Sequence, residues 1–99
     1  MDMNQIIREQ ARLIILKSLA EQVDERLNSD LLVEMLKPFG IRKDRAWVHD
    51  ELAYLADMGA VTVLTAGTVQ VASLTDKGHR HLEREIAIEG VKRPSRPVS

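Results

Sequence analysis

The sequence predicts an α+β domain in which a three-helix core is closed by a β-hairpin and followed by a C-terminal helix. Three observations lead there. Val48, Leu52 and Leu55 step by three and four residues, which places them on one helical face. Gly59 interrupts that stripe, and glycine ends helices because it enters the left-handed cap conformation without a Cβ clash. Directly afterwards the period changes to two, with Val61 and Val63 on one arm and Val69 and Val71 on the other.

Size and composition bound what such a domain does. Its 99 residues support one modest core and not two. A chain with 44% hydrophobic and 29% charged residues is ordinary for a globular protein. No apolar run approaches the roughly 20 residues a membrane-spanning helix needs. Asp2 and Glu9 break the basic-then-apolar order of a signal peptide. Without cysteine there is no disulfide and no thiolate metal site, which suits a reducing cytoplasm. The formal net charge is −1, so any basic surface has to come from local clusters.

Taken in order, the first helix is expected over residues 4–22. Its apolar residues (Ile6, Ile7, Ala11, Leu13, Ile14, Ile15, Leu16, Leu19, Ala20) cover more than one stripe. That surplus is either buried by the rest of the domain or paired with a second copy. We expect a homodimer through helix one and helix four. Arg26-Leu27 is suited to a short strand beside the hairpin, and Asn28 or Ser29 caps the second helix. That helix carries Leu31, Leu32, Met35 and Leu36 and has to finish near Lys37, because Pro38 clashes with a continuing turn. Gly40 supplies the corner, and Asp44 caps the third helix. The hairpin turn falls near Ala66-Gly67. Thr75 then caps a fourth helix that runs to Gly90 with Leu82, Ile86 and Ile88 inward. The expected division is a domain over 1–90 and a basic, Pro-containing flexible tail over 91–99.

Two helices joined by a glycine corner, then a hairpin wing, spell a winged helix-turn-helix with a two- or three-stranded wing. Leu52-Ala53-Tyr54-Leu55, Gly59-Ala60-Val61 and Leu74-Thr75-Asp76-Lys77-Gly78 resemble the general layout of bacterial winged-helix regulators of the arsenic-repressor and multiple-antibiotic-resistance-repressor classes. Four further stretches are Ile6-Ile7-Arg8-Glu9, Arg26-Leu27-Asn28-Ser29, the run from Asp44 through Leu52, and Gly90-Val91-Lys92-Arg93-Pro94. With these the chain resembles small regulators encoded by Mu-like phages and prophages. The resemblance implies a transcriptional regulator that reads double-stranded DNA.

In DNA-binding winged helices the N-terminal half of helix three enters the major groove. Carried onto this chain, the reading positions are Arg45, Trp47, His49 and Asp50, with Arg42 and Lys43 at the phosphates and Lys92 and Arg93 as a basic tail. Arg45 suits a guanine edge; Asp50 suits only a cytosine amino group, because phosphate repels it. Trp47 has a second reading, as a cover over the core edge at helix two. Residues 58–75, which include the whole wing, hold no charge, and this pattern suits a protein partner better than phosphate. A protein–protein interaction module without DNA binding is therefore the alternative.

Catalysis has little support in the sequence. The glycines lack phosphate-cradling spacing, and no serine sits in a nucleophile elbow. His79 and His81 lie two apart on a helix and face opposite sides, so they do not share a metal. Asp50 and Glu51 are expected on different faces of helix three and both exposed, which makes them poor candidates for raised acidity. We expect no enzyme, no cofactor and no metal.

Overall fold

The computed structural model describes residues 2–96. It contains α1 (Met3–Ala20), β1 (Arg26–Asn28), α2 (Ser29–Leu36), a single 3₁₀ turn (Lys37–Phe39), α3 (Arg45–Asp57), β2 (Val61–Ala66), β3 (Val69–Leu74) and α4 (Asp76–Leu82). The helix starts lie where the side-chain chemistry puts them. Asp2 accepts from Gln5 N–H, Asn28 from Leu31 N–H, Asp44 from Trp47 N–H and Thr75 from Gly78 N–H. Each bond satisfies one of the donors that a helix N-terminus leaves open. Gly40 (φ 80) and Gly59 (φ 79) take the left-handed conformation that ends the 3₁₀ turn and follows α3.

The sheet has the order β1-β3-β2, all antiparallel. Arg26 pairs with Ser73 and Asn28 with Val71, so the short strand extends the wing to three strands. The hairpin closes at Ala66 opposite Val69, which leaves Gly67 and Thr68 as its two-residue loop. With three helices ahead of it, this hairpin makes the chain a winged helix-turn-helix. Ile15, Leu16 and Leu19 of α1, Leu32 and Leu36 of α2, and Val48, Leu52 and Leu55 of α3 form one buried cluster.

Most of the broad apolar belt of α1 is covered by its own domain, with Ala11, Leu13, Ile14, Ile15, Leu16 and Leu19 all buried. Only its first turns show apolar surface, at Met3 and Ile6.

The C-terminal quarter departs from expectation. The fourth helix stops at Leu82 instead of reaching Gly90, and Arg84 (φ 64) turns the chain back. The reason lies at His81, which is fully buried. Its Nδ1 accepts from Ile88 N–H and its Nε2–H donates to the Lys92 carbonyl, both at 3.0 Å. A continuous helix would direct the Ile88 N–H along its own axis and leave a buried ring nitrogen unpartnered. The tail expected to be free from residue 91 is likewise strapped down. Val91 and Pro94 are buried, Lys92 N–H donates to the Glu9 carbonyl of α1, and the Arg84 guanidinium donates to the Pro94 carbonyl. The last residues of the expected tail, 97–99, lie outside the described residues.

Candidate nucleic-acid interface

The candidate surface is the N-terminal end of α3 and the loop before it. Val48, Leu52 and Leu55 face the core, so helical periodicity turns Arg45, Ala46, Asp50 and Ala53 outward. Arg42 and Lys43 are exposed in the preceding loop. Three cations therefore stand within four residues at the start of one helix.

Each sequence-derived position has a definite setting. Arg45 makes a two-bond ion pair with Asp30 at the start of α2: Nε to Oδ1 at 2.7 Å and Nη2 to Oδ2 at 3.1 Å. Hydrogen bonding to Arg45 holds the Asp30 carboxyl below its ordinary range and raises the guanidinium above its own. Trp47 is half-buried against the core edge. Its ring has Arg8 of α1 5.2 Å and Lys43 5.5 Å from the centroid, within cation–π reach. His49 Nε2 lies 2.8 Å from the buried Ser29 hydroxyl, which also accepts from Gln70 N–H of β3 at 3.0 Å. Ser29 thereby joins α2, α3 and the wing. Asp50 is exposed one turn beyond Ala46.

Lys92 and Arg93 are not beside Arg45. They edge a cleft of about 320 Å³ along α1, floored by Leu13, Ile14 and Phe39. Arg42 and Lys43 edge the adjacent cleft, and the two share Gln10 and Phe39. The two basic pairs thus flank the same side of α1 at different points.

One expectation is overturned by burial. Glu51, expected to be exposed, is 1% exposed. Its carboxylate is held by Arg8 and by Arg12 Nε, the latter at 2.7 Å. Arg12 also donates to the Gly90 carbonyl at 2.8 Å and lies over the Tyr54 ring, while the Tyr54 hydroxyl donates to the Glu89 carbonyl at 2.7 Å. This clamp fastens α1, α3 and the C-terminal strap behind the candidate surface. The signal for it was present as two arginines, Arg8 and Arg12, four residues apart in α1, which brings both onto one face. Among the described residues, no three His, Asp or Glu side chains converge as a metal site. Among those residues, too, no helix is long and apolar enough to cross a membrane.

No family model matches the chain. In sequence it is 34% identical over 91 residues to the uncharacterized protein gp26 of Escherichia phage Mu, covering 92% of this chain and 94% of that protein. In structure it is similar to F93 from STIV, a winged-helix DNA-binding protein, with a TM-score of 0.58 and 30% identity over 74% of this chain and 79% of that one. It is also similar to Sco3205, a MarR family transcriptional regulator from Streptomyces coelicolor solved in complex with DNA. There the TM-score is 0.59 and the identity 27%, over 82% of this chain. A TM-score of 0.62 to hsRosR, at 17% identity and over 75% of this chain, is a likeness of fold. The chain spans 65% of hsRosR and 52% of Sco3205.

Proposed function

The chain belongs to the family of the phage Mu protein gp26, and from that premise we propose that it is a phage- or prophage-encoded transcriptional regulator that reads duplex DNA with α3. The observation that carries this reading is the exposed trio Arg42, Lys43 and Arg45 at the start of a helix whose opposite face is clamped through Glu51. A helix fixed from behind presents its outer residues in a constant register, which groove reading requires. F93 and Sco3205, both described as DNA-binding or DNA-bound, support it. Arg42 and Lys43 take phosphates; Arg45 addresses a base edge; Ala46, Asp50 and Ala53 set the closeness and polarity of approach. Lys92 and Arg93 add positive potential along α1 and not a contact beside Arg45.

The regulator works as a homodimer, with the exposed Met3 and Ile6 of α1 as the apolar contact and the two α3 helices about 34 Å apart. The buried Gly78 and His81 of α4 serve their own domain, so the contact rests on α1 more than on α4. Two phosphate cations per protomer give a slope of log affinity against log salt of roughly −4 for the dimer. Fluorescence anisotropy with duplex DNA from the promoter beside its own gene, over a salt series, tests this. Retention that weakens steeply with salt is the expected result; no binding at the lowest salt ends the reading.

A second reading is favoured by one observation. The β2–β3 hairpin holds no charge, and Leu64 on it is 70% exposed, which suits an apolar protein partner. A complex that survives purification without DNA, and is lost on Leu64→Glu, would select it.

A further inference from the structure

Resting on the DNA-reading proposal, we infer that Asp30 is a specificity-determining positioning residue: it grips the Arg45 guanidinium by one edge and so presents the other, in a fixed plane, to a guanine. Arginine carries five N–H groups in a rigid fork. Asp30 engages Nε and Nη2. The outer edge, formed by Nη1 and the second hydrogen of Nη2, has no partner among the described residues, and its two parallel donors match the O6 and N7 acceptors of guanine.

Asp30 is itself well placed to define that plane. It lies in the first turn of α2, where its charge meets the positive helix end. Its neighbour Ser29 is fully buried and ties α2 to His49 of α3 and to Gln70 of the wing. The start of α2 therefore sets the direction of Arg45, the seat of His49 and the distance to β3. The carboxylate also repels phosphate. Its removal therefore raises affinity for any duplex while lowering preference for one.

The test is selection from duplex DNA with a randomised core, using the full chain as wild type, Asp30→Ala, Asp30→Asn, Arg45→Ala and the double variant Asp30→Ala/Arg45→Ala. Anisotropy on a duplex of unrelated sequence is run in parallel. Asp30→Ala is expected to lose about tenfold preference at a single G·C position, keep the others, and bind unrelated duplex more tightly. Arg45→Ala loses the same position and the double variant loses no more, while Asp30→Asn, which keeps one acceptor, is intermediate. Thermal melting of Asp30→Ala stays near wild type, because both partners are largely exposed. A preference kept or sharpened in Asp30→Ala, or one flattened at every position, overturns the inference. Enrichment of no sequence by the wild type removes the DNA-reading proposal and this inference together.

Discussion

The two faces of α3 carry the same chemistry in opposite settings. Behind the helix, Glu51 is 1% exposed and held by Arg8 and Arg12; in front, Asp30 is 50% exposed and held by Arg45. Both are arginine–carboxylate contacts, yet they do different things. A carboxylate removed from water has no solvent to fall back on, so its partners cannot leave without a large penalty. A pair that water can replace contributes about 0–1 kcal/mol, so it is free to rearrange or to serve orientation. Burial, and not the pairing itself, decides which arginine belongs to the scaffold and which is available to a partner.

The largest effect is expected at the back. Glu51→Ala leaves two arginine heads facing a desolvated site and is expected to cost about 3–5 kcal/mol in urea unfolding. A cost below about 1 kcal/mol would erase the contrast between the faces. Next comes the strap. Gly90 has φ +80, and a methyl there would overlap the Tyr54 hydroxyl. Gly90→Ala is expected to lose at least about 2 kcal/mol and to raise hydrogen exchange at Val91 and Lys92.

At the front, Arg45→Ala is expected to leave thermal stability near wild type while weakening DNA binding about tenfold. A comparable stability loss at both faces would mean that the exposed pair also holds the fold.

The smallest effect is the pH response of that pair. Asp30 has its folded value lowered, chiefly by the hydrogen bond to Arg45. Its stabilisation is thus complete above the ordinary carboxylate value near 3.8 and fades as pH falls through the lowered one. A carboxyl NMR titration shows this directly, and in Arg45→Ala the midpoint moves up. A midpoint unmoved by that substitution would mean that the pair is absent in solution.

Much of the architecture was legible because its signals are local. Asn28, Asp44 and Thr75 cap helices from within a three-residue reach, and Gly40 and Gly59 stop or turn the chain where only glycine does so without strain. The short strand expected at Arg26-Leu27 is present beside β3 and runs on to Asn28. The candidate positions came from the winged-helix resemblance, carried onto the N-terminal half of helix three. That carry-over says nothing of Asp30, fifteen residues from Arg45.

By itself, the sequence determined the order of elements, the caps and the helical stripe that seats α3, since these depend on contacts within about one turn. Tertiary structure decided the rest: that Glu51 is buried, that helix four gives way after Leu82 to a strap held by His81, and that Asp30 grips Arg45. Each of those depends on groups brought together from 7 to 43 residues apart. Local propensity carries no information about what a side chain meets at that range, because desolvation is settled only when the elements pack.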